Sequence, residues 1–132
     1  MATKVLDSYA LMAFFEDEPG ADNIRSLLLK AEEKNLKLLM CVVSLGEVWY
    51  SIAHTNSAGI ADQYIREVEG MAIDIVDLDW QLTHQAAIFK AKGNIPFEDC
   101  IVAALAKKHK AELVTGNKEF KTLEGEIKIA WI

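Results

Sequence analysis

The sequence predicts one α/β domain in which a mostly parallel sheet of five strands is covered by helices on both faces. Short apolar runs that suit buried strands alternate along the chain with longer segments of helical periodicity. The 132 residues contain no linker, repeat or low-complexity segment, and 52% of them are hydrophobic, which is enough for one core. We therefore expect a single three-layer domain over residues 1–132.

The chain opens with a strand that leads into a helix. Residues 3–6 form an apolar strand candidate, which Asp7 ends, and residues 9–15 follow as a helix. An aspartate at this junction is typical of an N-cap, whose side chain accepts the first free backbone N–H groups. After a break, apolar residues recur at helical spacing over residues 24–31, which predicts an amphipathic surface helix.

A second strand and helix follow the surface helix. Residues 36–43 are the strand candidate, and the helix is expected to open at Ser44. Ser44 and Glu47 match a capping box, in which the glutamate folds back onto the backbone N–H of the cap residue. Residues 61–69 then predict a short helix.

The third strand is predicted at residues 71–76. Asp77 and Asp79 are interpreted as residues at the start of the next helix, over residues 80–92. The last segment, residues 126–132, alternates apolar and polar residues and predicts a half-buried edge strand.

The stretch at residues 95–120 combines a buried helix with polar groups at its head and after it. Residues 100–106 are seven consecutive apolar residues, which is typical of a helix buried on all sides. Asp99 lies in the first turn of this helix, and Asn117 follows the short strand at residues 113–114. Polar groups in such places are costly unless something uses them.

The composition indicates which cellular compartment and which classes of partner to expect. Cys41 and Cys100 lie in apolar runs without metal-site spacing, which indicates buried reduced thiols. No stretch reaches the length of a membrane span, and no signal-peptide pattern is present, so we expect a cytoplasmic protein with no membrane contact. A net charge of −6 argues mildly against a general nucleic-acid binder, although five lysines over residues 107–121 leave a local basic patch possible.

Four polar residues are expected to meet at one edge of the sheet. Ligands of such sheets bind at the carboxyl ends of the strands, where the strand order reverses. If the first three strands wind one way and the fourth returns to the other side of the first, Asp7 and Asn117 end the two strands at the reversal. Glu47 and Asp99 begin helices that can pack against the same edge.

Each of these residues has a capping or turn role of its own, but their convergence needs a separate reason. Two carboxylates about 4 Å apart repel by about 4 kcal/mol at an effective dielectric near 20. A hard divalent cation such as Mg²⁺ or Mn²⁺ relieves this repulsion, and it can activate a bound water toward phosphate.

Four segments of the sequence carry the candidate residues: VLDS at 5–8, SLGEV at 44–48, FEDCIVAA at 97–104 and LVTGNKEF at 113–120. In this order they resemble the four motifs of the PIN domain family, including its VapC-type toxin ribonucleases. The resemblance runs over essentially the whole chain. It implies a PIN-like sheet with strand order 3-2-1-4-5.

The resemblance also implies a function. Asp7, Glu47 and Asp99 would be the acidic metal-site residues, with Asn117 where the family often has a fourth acid. Thr115 and Ser8 would support the site. The implied activity is Mg²⁺- or Mn²⁺-dependent endonucleolytic cleavage of RNA, restrained by a small antitoxin protein, and the family often self-associates, so a homodimer is expected.

Asn117 is the departure from the family pattern that bears on the metal. It removes one negative charge, so we expect a single metal ion, with the Asn117 amide supporting the hydration shell. Glu119 is interpreted as a surface acid. Lys107, Lys118 and Lys121 are candidate phosphate contacts.

Two alternatives remain open at this point. One is a binding or scaffold domain that keeps the fold without useful catalysis, motivated by Asn117 and the acidic net charge. The other is a phosphoacceptor receiver domain, which also has a doubly wound sheet and an aspartate cluster. That domain needs no acid at Glu47 and should have a lysine at the end of its last strand, where this chain has Trp131.

Overall fold

The computed structural model describes residues 1–132, which form a five-stranded sheet with six α-helices and one 3₁₀ helix. The strands are β1 (Thr3–Leu6), β2 (Lys37–Cys41), β3 (Asp74–Val76), β4 (Glu112–Thr115) and β5 (Ile129–Trp131). The α-helices are α1 (Ser8–Phe15), α2 (Ala21–Glu32), α3 (Val42–Thr55), α4 (Ala58–Glu69), α5 (Trp80–Ala91) and α6 (Phe97–His109), and the 3₁₀ helix is Lys118–Leu123.

The sheet is parallel throughout, with strand order β3-β2-β1-β4-β5. The predicted fold class and strand order are therefore confirmed. β1 lies in the centre, and the order reverses between β1 and β4. Their carboxyl ends meet at this reversal, since Leu6 is in register with Val114.

Two hydrophobic cores lie on opposite faces of the sheet. Successive strand residues point to opposite faces, so Val5 joins the core beneath α5 and α6, whereas Leu6 joins the core beneath α1 to α4. The first core holds 19 buried residues and the second 14, so neither face of the sheet is open to water. This explains why the strands read as apolar runs rather than as alternating ones.

α6 is the buried helix that the sequence predicts. All residues from Cys100 to Ala106 are buried, and the lysines begin only at Lys107. Lys110 ends the helix in a left-handed conformation, with φ of 50°. Because the helix is enclosed by α5 and the sheet, its first turn is held firmly against the carboxyl edge.

The predicted capping box at the start of α3 is wrong. β2 ends at Cys41 and α3 begins at Val42, which makes Ser44 the third helical residue rather than the cap. The Ser44 hydroxyl is fully buried and has no hydrogen-bond partner. Glu47 therefore has no capping role at the start of α3, and its side chain can take part in another contact.

The boundaries of the other elements differ from the predicted ones mainly because the strands are shorter than expected. β3 and β5 have three residues each, because the flanking residues do not pair with a neighbouring strand. The prediction for Asp79 is confirmed, since its side chain accepts a hydrogen bond from Leu82 N as the N-cap of α5. Cys41 and Cys100 are buried and free, as predicted. None of the helices is both long and apolar enough to cross a bilayer.

Candidate active site

A cavity of about 370 Å³ lies at the carboxyl ends of β1 and β4, where the strand order reverses. Its wall includes the four polar residues that the sequence places at this edge: Asp7, Glu47, Asp99 and Asn117. Ser8 also lines it. The sheet topology thus brings together side chains that are up to 110 residues apart in the chain.

Asp7 is fixed by hydrogen bonds on both carboxyl oxygens. It follows β1 and is the N-cap of α1, where Oδ1 accepts from Ala10 N at 2.8 Å. Oδ2 accepts from the Thr115 hydroxyl of β4 at 2.5 Å. The side chain is only 4% exposed, and this burial raises the pKa of Asp7 to about 6, although the two hydrogen bonds lower it. The N-cap prediction is confirmed. The hydrogen bond from Thr115 is an additional contact, which an N-cap does not require.

Asp99 lies in the first turn of α6 and is held by Asn117. The Asn117 Nδ2 group donates to Asp99 Oδ2 at 3.2 Å, while Asn117 Oδ1 accepts from Glu119 N at 3.1 Å. Burial, together with the negative charges of Glu119 and Asp7, raises the pKa of Asp99 to about 7, although the hydrogen bond from Asn117 lowers it. Because the amide oxygen is engaged by Glu119 N, Asn117 acts here as a donor that orients Asp99.

Glu47 reaches the site from the second turn of α3. Its Oε1 accepts a long hydrogen bond of 3.4 Å from the Ser8 hydroxyl. Burial raises the pKa of Glu47 to about 8, and the charges of Glu98 and Asp99 act in the same direction. Ser8 therefore contacts one acid of the site directly, from the position after Asp7.

Two further acids lie beside residues of the site, although not on the cavity wall, and the sequence reasoning did not assign them there. Glu98 lies beside Glu47, and Glu119 lies beside Asp99, closely enough that each raises its neighbour's pKa. Glu119, interpreted from sequence as a surface acid, is exposed but faces the site. Its position two residues after Asn117, in the 3₁₀ helix, was the available signal.

The three predicted phosphate-contacting lysines are not part of the cavity wall. Lys107 lies eight residues along α6 from Asp99, which is about 12 Å at 1.5 Å per residue. There it pairs with Glu126 at 3.3 Å and lies over the ring of Phe89, away from the cavity, and its contact with phosphate stays a prediction. Lys118 and Lys121 are exposed in the 3₁₀ helix that follows Asn117.

The donor chemistry of the cavity fits a hard divalent cation. The acids offer oxygen only, and burial, which raises all three pKa values, makes their ionised forms costly unless a cation neutralises them. No three His, Cys, Asp or Glu side chains converge tightly enough to hold one ion among them. A cation in this cavity would therefore be held by one or two carboxylates and by waters, which is a common mode of Mg²⁺ binding.

A comparison with protein families matches residues 4–126 to the PIN domain. The chain belongs to the PIN domain family. The match extends over nearly all of the PIN domain described above, from β1 to the segment before β5.

Solved structures with the same fold cover almost the whole chain. VapBC from Salmonella typhimurium, bound to DNA, has a TM-score of 0.77 at 16% identity, and the match covers 98% of each chain. VapBC2 from Rickettsia felis, bound to a promoter fragment, has a TM-score of 0.73 at 19% identity over 97% of each chain.

VapC20 from Mycobacterium tuberculosis, described as a toxin that cleaves the sarcin-ricin loop, has a TM-score of 0.70 at 14% identity. That match covers 92% of this chain and 94% of VapC20. Comparison with curated protein sequences gives no significant match. At these identities the likeness shows the fold.

Proposed function

We propose that this PIN domain is a Mg²⁺- or Mn²⁺-dependent endoribonuclease. The observation that carries the proposal is the convergence of Asp7, Glu47 and Asp99 on one cavity, where burial raises all three pKa values and neighbouring negative charges add to the rise for Glu47 and Asp99. Such a cluster costs free energy unless a cation or protons neutralise it. The family of the chain and the RNA-cleaving activity named for VapC20 support RNA as the substrate.

The residues of the chain have separable roles in this proposal. Asp7 and Asp99 are the carboxylates held in place by Thr115 and Asn117, and they would bind the cation. Glu47, with the highest pKa of the three, would orient the water ligands from the α3 side. When bound, the cation neutralises phosphate oxygens and activates a water for in-line attack. Because cation binding must displace protons from these carboxyls, its affinity should rise with pH between about 6 and 8.

RNA cleavage by the purified protein in Mn²⁺ tests the proposal. We expect the wild type to cleave, and both Asp7→Asn and Asp99→Asn to lose at least 100-fold of the rate. Asp74→Asn is the matched control, since Asp74 is an exposed acid on β3 outside the cavity. Equal rates in wild type and in both site variants would end the assignment.

We further propose that the protein is the toxin of a type II toxin–antitoxin pair. Support comes from the structures with the same fold, which are described as VapBC and toxin–antitoxin complexes. Expression of the wild type should arrest growth, whereas Asp99→Asn should not. Growth should recover when a small protein encoded beside it is co-expressed. Failure of Asp99→Asn to relieve the arrest would separate toxicity from the site.

A homodimer and a cytoplasmic location are part of the same proposal. Exposed aromatic residues on helices, Trp49 on α3 and Trp80 on α5, offer apolar surface for association. Light scattering coupled to gel filtration should give about twice the chain mass of 14.7 kDa. A mass that stays at one chain across concentrations would reject the dimer.

A scaffold domain without useful catalysis is the second candidate. The specific observation in its favour is that the Asn117 amide oxygen is engaged by Glu119 N, which leaves the cavity with fewer free ligands. Calorimetric titration with Mn²⁺ separates the candidates. Binding in the micromolar to low-millimolar range, abolished by Asp99→Asn, would disfavour the scaffold.

A further inference from the structure

Two tyrosines line the acidic cavity, and the acids do not account for them. Tyr9 is the second residue of α1, and Tyr50 lies on α3, three residues after Glu47. Their exposed fractions are 43% and 55%. Single exposed aromatic residues are ordinary on a protein surface, but two on the wall of one polar cavity are not explained by packing.

The backbone of Gly116 holds the ring of Tyr9 in place. A Cβ atom added to Gly116 would lie 2.3 Å from Tyr9 Cε1 and 2.7 Å from Cζ, so the ring occupies the space of the missing side chain. Gly116 lies between Thr115, which donates to Asp7, and Asn117, which donates to Asp99. The ring is therefore placed against the turn that fixes both acids, with nearly half of its surface open.

Tyr50 approaches the same cavity from a different helix. It lines the cavity together with Glu47 and Asp99, and burial and the charges of these acids and of Glu98 raise the pKa of Tyr50. More than half of the residue remains exposed. The two rings thus belong to separate walls, one from α1 against β4 and the other from α3.

The cavity offers no basic residue to an RNA chain. None of the 12 residues that line it is Lys or Arg, and four of them besides Asp7 are acidic: Glu16, Glu18, Glu47 and Asp99. Phosphate contacts therefore supply little of the binding energy here beyond what the cation provides. Stacking of bases on aromatic rings does not depend on protein charge, and it strengthens binding by roughly 10-fold or more per base.

We propose that Tyr9 and Tyr50 are stacking platforms for two unpaired bases of the RNA substrate, one on each side of the phosphate that is cleaved. This inference rests on the proposed nuclease function and names its substrate class. Duplex RNA keeps its bases stacked within the helix, whereas bases in loops can turn out onto aromatic side chains. The protein therefore selects unpaired RNA.

Fluorescence anisotropy with a labelled RNA oligonucleotide, single-stranded or in a duplex, tests the inference. The measurements use the Asp99→Asn background, which is expected neither to bind the cation nor to cleave, so that RNA is not consumed. Tyr9→Ala and Tyr50→Ala should each weaken binding of the single strand about 10-fold and leave duplex binding unchanged. Tyr9→Phe and Tyr50→Phe keep the ring and should bind within about 3-fold of the parent protein.

Two further variants make the test specific to the placement of the rings. Gly116→Ala should displace the Tyr9 ring and weaken single-strand binding as Tyr9→Ala does. Trp131→Ala removes an aromatic residue of β5 that is 37% exposed and does not line the cavity, and it should change nothing. Equal losses for single strand and duplex, equal losses in Phe and Ala variants, or no binding of RNA at all would overturn the inference.

Failure of the stacking role can be distinguished from failure of the proposed nuclease function. Cleavage by the wild type without any effect of the tyrosine variants on binding or on strand preference would reject the stacking role alone. Tyrosine-dependent binding of single-stranded RNA without cleavage by the wild type would reject the nuclease and leave the stacking role standing.

Discussion

Replacing Asp7 with asparagine should stabilise the protein when no divalent cation is present. Asp7 is 4% exposed, and burial raises its pKa from 3.8 to about 6. The folded protein therefore binds an extra proton between these two pH values, so the free energy of unfolding falls as pH rises from about 4 to about 6. Above pH 6 the full cost of the buried charge is present, and asparagine removes it.

The size of the effect follows from the pKa values. A rise from 3.8 to about 6 corresponds to about 3 kcal/mol at 1.4 kcal/mol per pH unit. Asparagine retains an oxygen to accept from Ala10 N, but its amide group replaces the oxygen that accepts from Thr115, which costs about 1 kcal/mol. We expect a net gain of about 2 kcal/mol at pH 8, or about 6 °C in melting temperature for a domain of this size.

Urea unfolding in EDTA, followed by circular dichroism from pH 4 to pH 8, measures the effect. The gain of Asp7→Asn over wild type should grow from nothing or a small loss at pH 4 to its full value above pH 6. Asp74→Asn changes an exposed acid and should show no such dependence. A destabilised Asp7→Asn at pH 8, or a gain that does not change with pH, would refute the reasoning from burial.

Three further predictions concern the neighbours of Asp7. Mg²⁺ at 100 times its dissociation constant should raise the free energy of unfolding of the wild type by about 2.7 kcal/mol. Calorimetric melting should show this gain to be absent in Asp99→Asn, and a retained gain would place the cation elsewhere. Thr115→Val removes the hydroxyl that donates to Asp7. It should lower the free energy of unfolding by about 1–3 kcal/mol at pH 8 and by less at pH 4, where Asp7 is neutral. Urea unfolding at both pH values measures the loss, and an equal loss at the two would contradict the prediction. Gly116→Ala should cost less than about 1 kcal/mol, because the exposed end of the Tyr9 ring can move aside, and near-ultraviolet circular dichroism should report that movement. A larger loss would show that the ring cannot move.

The sequence predicts the fold because its strongest signals are local and consistent. Apolar strand runs alternate with helical segments, and the seven buried residues from Cys100 to Ala106 identify the central helix of one layer. Asp7 and Asn117 could be paired in advance, because carboxyl ends of parallel strands share one edge of a sheet.

What the sequence does not predict depends on side-chain direction and on exact helix starts. A shift of the α3 start from Ser44 to Val42 leaves the Ser44 hydroxyl without a partner and sends Glu47 toward the cavity. Glu98 and Glu119 look like surface acids until α3, α6 and the 3₁₀ helix are assembled around one point. Lys107 lies outside the cavity wall because distance along the helix, rather than charge, decides which groups a lysine can reach.

The pairing of β1 with β4 has a consequence for when the protein becomes active during its synthesis. Thr115 and Asp7, joined by a hydrogen bond, are 108 residues apart, and β4 is the only neighbour of β1 on that side of the sheet. A growing chain that has not yet delivered residues 112–117 lacks the donors that fix Asp7 and Asp99, whatever else has folded. Incomplete products of the proposed toxin, made by interrupted translation, should therefore be harmless in the cell.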